Sequence, residues 1–236
     1  MNSVVPAKRF YKTVSVAEAE GGWQVCLDGR PLKTPARAPL IIGQRTLADE
    51  IAAEWDTQQE KIRPESMPLF RLVATAIDRV AARRDDVIAA TVKYAETDLL
   101  CYRADMPSDL VELQARRWQP ILDWARAALG AELQVTDGLR PIDQSPNALG
   151  ALRGAVAQFD DLGLTGLSAL AGVTGSLILA LAMAHARIDA AEGGALALLD
   201  EQYQSDRWGL DPEAEERRAR TRAEIAETLR FLNLIG

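Results

Sequence analysis

Side chains able to do acid/base chemistry crowd into one late stretch, DEQYQSDRWGLDPEAEERR at residues 200–218, where carboxylates stand beside a tyrosine, a tryptophan and several arginines. Glu201, Tyr203, Glu213 and Glu216 are the candidate acid/base groups. An enzyme would have to converge them on a concavity that perturbs their titration. Helix-end chemistry explains part of the same stretch. Asp211 suits an N-cap, Pro212 a first helical position, and Glu213, Glu215 and Glu216 the positive end of a helix dipole. Glu213 and Glu216 also stand four residues before Arg217 and Arg220, the spacing of surface ion pairs. Trp208 is not explained this way. With Glu201 and Ser205 it forms an i, i+4, i+7 series on one helix face, whereas Leu196, Leu199 and Tyr203 form an inward stripe. A tryptophan on an otherwise polar face is a favoured anchor for a protein partner.

Other catalytic chemistries lack their parts. The single histidine, His185, sits in SLILALAMAHARI with no second histidine or nearby cysteine to complete a metal set, so a packed or helix-end role is expected. No G-x-S-x-G elbow occurs, and any triad base would have to be that same histidine. GLTGLSALAGVTGS is glycine-rich but lacks the lysine of a phosphate loop and the G-x-G-x-x-G spacing; close helix packing explains it better. The carboxylate pairs Asp85-Asp86, Asp160-Asp161 and Glu96 with Asp98 point in different directions on a helix and read as solvated faces or caps. Asp98 and Arg103, in KYAETDLLCYR, lie in a segment that otherwise reads as core, where a buried salt bridge would account for them. Cys26 and Cys101 form no CxxC pair and suggest neither zinc nor a disulfide framework. No cofactor or metal is expected.

The elements that must position these residues follow from periodicity. Residues 9–42 read as strands, with Trp23, Val25 and Leu27 on one face and a turn at Asp28-Gly29. After Gly43 the period becomes helical: Leu47, Ile51 and Trp55 recur every four residues. Further helices are expected near 68–81, 84–103, 108–129, 146–161, 166–187, 189–208 and 212–233. The fold class is therefore α+β, with a small β domain at 1–43 and a helical domain at 44–236. Residues 162–184 carry no charge and are long enough to span a bilayer. Glycines interleaved with threonine and serine break the run into two short core helices instead.

Composition narrows the partners. The chain has 236 residues, with 27 Lys plus Arg against 34 Asp plus Glu and a net charge of −7, which repels nucleic acid and anionic membranes. MNSVVPAKRFYK has no apolar core of a signal peptide and little arginine, so a cytoplasmic location is expected.

Seven segments together resemble one family: KRFYK, LDGRPLKTPAR, MPLFRLVATAID, YAETDLLCYR, WQPILDW, TGSLILALAMAHARI and DEQYQSDRWG with the acidic helix after it, running from Lys8 to about Arg222. They are similar to the mitochondrial ATP synthase F1 complex assembly factor 2 family. The resemblance implies a small N-terminal β domain joined to a helical one, and binding instead of catalysis. It implies a chaperone that holds the unassembled alpha subunit of the F1 catalytic head soluble and shields its surface for the beta subunit, acting as a monomer when free. The family's late helical motif carries a functionally important glutamate, matched here to Glu201, with Asp200 as the adjoining rival. The expected partner-binding set is Glu201, Tyr203, Trp208, Glu213 and Glu216. Mitochondrial members carry a targeting extension, so the N-terminus read above points to a bacterial relative.

Overall fold

A three-stranded antiparallel sheet, in the order β1-β2-β3, starts the chain: β1 is Val14–Ala19, β2 Gly22–Leu27 and β3 Arg30–Pro31. The computed structural model describes residues 8–138, 141–209 and 211–236. Asp28 and Gly29 both have positive φ, 49° and 74°, which the two-residue turn between β2 and β3 requires and which an Asp-Gly pair supplies at low cost. The Asp28 carboxylate accepts hydrogen bonds from the backbone N–H groups of Thr13 (2.8 Å) and Lys12 (3.0 Å), and these donors hold its pKa below the usual range. On β2, Val25 and Leu27 are buried as expected, but so is Cys26; Trp23 is half-exposed beneath the guanidinium of Arg45, 4.7 Å from its ring.

Helix α1 (Arg45–Asp56) buries Leu47, Ala48, Ile51 and Trp55 and packs on β1 and β2. Helix α2 (Pro68–Thr75) follows, and its first turn is held by Glu54, whose carboxylate accepts from Leu69 N (2.7 Å) and Phe70 N (2.9 Å). A wider turn continues over Ala76–Val80, where Asp78 accepts from Thr34 Oγ1 at 2.6 Å. The last residues return to this unit: Gln44 Nε2 donates to Ile235 O, and Arg230 pairs with Glu50. Residues up to Arg83, together with Arg230–Gly236, form one compact unit, and Arg84–Leu229 form another. The division expected after Gly43 thus falls inside the first unit, because the apolar face of α1 is completed by the sheet and by α2.

Among its described residues the second unit is mainly helical and has one two-stranded parallel pair, β4 (Tyr102–Arg103) with β5 (Thr136–Asp137). Its helices are α3 (Arg84–Val92), α4 (Ser108–Leu129), α5 (Pro146–Ala157), α6 (Asp161–Thr174), α7 (Leu177–Ala184), α8 (Ala190–Ala197), α9 (Leu199–Trp208) and α10 (Pro212–Ile235) up to Leu229. Every residue of α7 from Leu177 to Met183 is buried, against α6, α4 and α8. The uncharged run at 162–184 breaks into α6 and α7 where Gly175 takes a left-handed φ of 67° and Ser176 accepts from Leu179 N. Among the described residues no helix is long and apolar enough to cross a membrane.

The helix expected over 84–103 ends at Val92, with short turns and β4 after it. The cause is Asp98, which is fully buried and accepts from Ser176 Oγ (2.7 Å), Leu100 N (3.1 Å) and Ile178 N (3.1 Å), so that it is bound to the start of α7 instead of to its own helix. The expected Asp98–Arg103 bridge does not form; Arg103 donates instead to Gln119 Oε1 at 2.9 Å. Burial pushes the Asp98 pKa up to about 6, against the hydrogen bond from Ser176 and those from backbone amides.

Candidate functional site

The late acidic stretch is built on α9 and the start of α10. Helix α4 fixes the end of α8 and the base of α9: the buried Trp118 donates to Leu196 O of α8 at 3.1 Å, and the buried Gln114 donates to Asp200 Oδ1 of α9 at 2.7 Å while accepting from Ala104 N. Asp200 is thus half-buried and structural, and burial raises its pKa. After Trp208 the chain reverses through Gly209, whose φ of 100° suits glycine, and Asp211 Oδ1 accepts from Glu213 N to start α10. The two helices are pinned by Arg218, which is only 3% exposed and donates to Ser205 Oγ at 3.0 Å and to Glu215 Oε2 at 2.6 Å. The Arg218 hydrogen bond is the main reason that the Glu215 pKa is lowered.

With α9 and α10 so joined, Glu201 and Trp208 flank one open cleft of about 230 Å³, whose walls include Gln204, Arg217 and Arg218. Trp208 is 75% exposed. Glu201 Oε2 accepts from Arg217 at 2.9 Å, and this hydrogen bond is the first cause of the raised Arg217 pKa. An exposed pair of this kind is worth only about 0–1 kcal/mol. A charged partner group can therefore exchange into it.

The remaining expected residues lie elsewhere. Tyr203 does not complete the buried stripe of Leu196 and Leu199: it is half-buried, and its hydroxyl donates to Asp109 Oδ1 at 2.8 Å. Arg207 also donates to Tyr203 Oη and pairs with Asp109 Oδ2 at 3.0 Å. The Tyr203 hydrogen bond is the largest of the effects that lower the Asp109 pKa. Glu216 pairs with Arg220 at 2.9 Å as its spacing predicts, whereas the other expected pair is replaced, because Arg217 turns to Glu201 and not to Glu213 for its hydrogen bond. Glu213 is exposed and does not line the cleft. The four candidate acid/base groups do not converge, and of the five partner-binding candidates the structure brings only Glu201 and Trp208 to one concavity.

Sequence reasoning did not single out Gln114, Asp109 or Arg218, whose contacts to α9 span 86, 94 and 13 residues. No local signal sets Arg218 apart, since Arg217, Arg220 and Arg222 surround it in the same helix. His185 is an exposed helix-end residue, the C-cap of α7, 5.9 Å from the ring of Trp124 and 6.1 Å from that of Phe159. Among the described residues no group of three or more His, Cys, Asp or Glu is placed to hold a metal ion.

Residues 8–126 match the family described as ATP12 chaperone protein. A crystal structure of Atp12 from Paracoccus denitrificans is 46% identical, covers 98% of this chain and 99% of its own, and superposes with a TM-score of 0.91. An Agrobacterium tumefaciens crystal structure is 42% identical over 97% of this chain and 85% of its own, with a TM-score of 0.90. Mitochondrial protein atp12 of Schizosaccharomyces pombe is 25% identical over 221 residues, which cover 89% of this chain and 76% of the yeast protein. The similarity spans both compact units and includes α9 and the start of α10, and on it the chain belongs to the ATP12 chaperone family.

Proposed function

We propose that this protein is an assembly chaperone of the F-type ATP synthase that binds the unassembled alpha subunit of the F1 catalytic head and prevents its aggregation until the beta subunit pairs with it. Family membership supports the chaperone role, and the resemblance in sequence supports the partner. The observation that carries the binding site is Trp208: a tryptophan 75% exposed at a helix end, beside a cleft that it shares with Glu201. Leaving so large an apolar group in water forgoes about 1.5–3 kcal/mol of burial, which a partner surface would recover. Arg217 and Glu201 give the cleft a labile pair able to select a charged group on the partner. Tyr203 on α9 and Glu213 and Glu216 on the start of α10 serve as the polar rim of the docking face. The protein acts in the bacterial cytoplasm as a monomer that needs no cofactor.

Acid/base catalysis by this cluster is not favoured by the geometry, since Glu201, Glu216 and Tyr203 are each engaged with a different partner: Arg217, Arg220 and Asp109. Co-expression with the alpha subunit tests the function. A larger soluble alpha fraction that co-elutes with the chaperone is expected. Alpha subunit that aggregates equally with and without it, and never co-elutes, would contradict the proposal.

A further inference from the structure

The two compact units differ in charge. Residues up to Arg83 with Arg230–Gly236 hold 13 Lys and Arg against 10 Asp and Glu, a net +3, whereas Arg84–Leu229 hold 14 against 24, a net −10. The basic unit also carries the chain's other strongly exposed aromatic, Phe10, 71% exposed. Phe10 meets the Tyr11 ring edge-on at 5.4 Å, and Tyr11 in turn meets Trp55 at 5.7 Å. These rings and the β2–β3 hairpin bound a groove of about 620 Å³. Its floor is apolar and fixed: Leu27, Leu32 and Trp55 are buried, and Tyr11 is held by its hydroxyl, which donates to Trp55 O at 2.6 Å. Its rim is cationic. Arg30 and Lys33 are exposed and have no carboxylate partner among the described residues, while the one acid of the rim, Asp28, is engaged by Lys12 and Thr13.

We propose that this groove is a second docking site, for an acidic segment of a client protein that inserts one aromatic or branched aliphatic side chain between Phe10 and the β2–β3 hairpin. The apolar floor takes the inserted side chain, and Arg30 and Lys33 take the carboxylates flanking it. Pro31 removes one backbone donor from β3, so recognition rests on side chains and not on strand addition. This site belongs to the basic unit, whereas the cleft beside Trp208 belongs to the acidic one. Only the source of the segment rests on the chaperone reading.

The test is titration of the isotopically labelled full-length protein with a short synthetic peptide carrying one phenylalanine between glutamates, followed by amide chemical shifts. Saturable shifts centred on Phe10, Leu32 and Lys33 are expected, with binding weakened about tenfold by Phe10→Ser and by Lys33→Glu. Both positions are exposed, so melting temperatures close to wild type will show that the variants are folded. Absence of shifts in the groove, or equal binding of the lysine counterpart of the peptide, would overturn the proposal. So would a Phe10-dependent dimer in sedimentation, which would assign the groove to a second copy of the chain. Capture of the alpha subunit is measured separately: its failure would remove the proposed client and leave the peptide titration to decide the groove.

Discussion

At the scale of single residues, the neighbours Asp200 and Glu201 separate structural from surface chemistry. Asp200 is half-buried and accepts from Gln114, a side chain 1% exposed that has no other acceptor for this amide among the described residues, whereas Glu201 shares an exposed pair with Arg217. Asp200→Ala is expected to destabilise the protein by about 1–3 kcal/mol, because it leaves the buried Gln114 amide unpaired. Glu201→Lys is expected to move the melting temperature little, since breaking an exposed pair costs about 1 kcal/mol or less. Thermal unfolding of the two variants checks the contrast, and equal losses would contradict it. The face shared by Glu201 and Trp208 was legible from the i to i+7 spacing, because both lie on one unbroken helix. Tyr203 departs from the inward stripe for the converse reason. Its place on the stripe is helical geometry, but its side chain is engaged by Asp109 and Arg207, and the hydrogen bond from its hydroxyl to the Asp109 carboxylate spans 94 residues, which no local pattern reports.

At the scale of elements, legibility followed the same rule. The helix at 108–129 and the start of the last helix at 212 were read to the residue, since Gly130 and Asp211-Pro212 are local stop and start signals. The composition of 84–103 predicts one helix, and the segment is not one because Asp98 leaves the helix to bond the start of α7. The ionisation of Asp98 then enters stability. Its folded pKa of about 6 lies above the ordinary value near 3.9, so the folded state binds the proton more tightly, and the stabilisation that comes with protonation is fully present below about pH 4 and lost as pH rises through about 6. The stability of wild type relative to Asp98→Asn should therefore increase as the pH is lowered from about 7 to about 5, in denaturant titrations at each pH. A relative stability that stays flat or decreases would show that the surrounding donors, and not burial, dominate. For α7 itself, Leu179→Asp places an unpaired charge where every side chain from Leu177 to Met183 is buried, and the loss of several kcal/mol should leave the variant unfolded or aggregated. An unchanged melting temperature would contradict that packing.

At the scale of the whole molecule, the α+β class was evident from the change of hydrophobic period near Gly43, yet that change does not mark the edge of a compact unit. Periodicity reports which face of each element is apolar. It does not report that α1 packs on the sheet and on α2, or that Arg230–Gly236 return to the same unit. The resulting units differ in charge, and the acidic one carries the exposed Trp208 and its cleft. The central claim is that this cleft holds the alpha subunit, and the most direct measurement is the affinity of folded Glu201→Lys, Trp208→Ala double variant for purified alpha subunit beside wild type, with melting temperatures recorded for both. Loss of the buried aromatic anchor alone is worth on the order of 2 kcal/mol, so the double variant should keep its fold and bind at least about thirtyfold more weakly. Equal affinity of wild type and a fully folded double variant would contradict the claim.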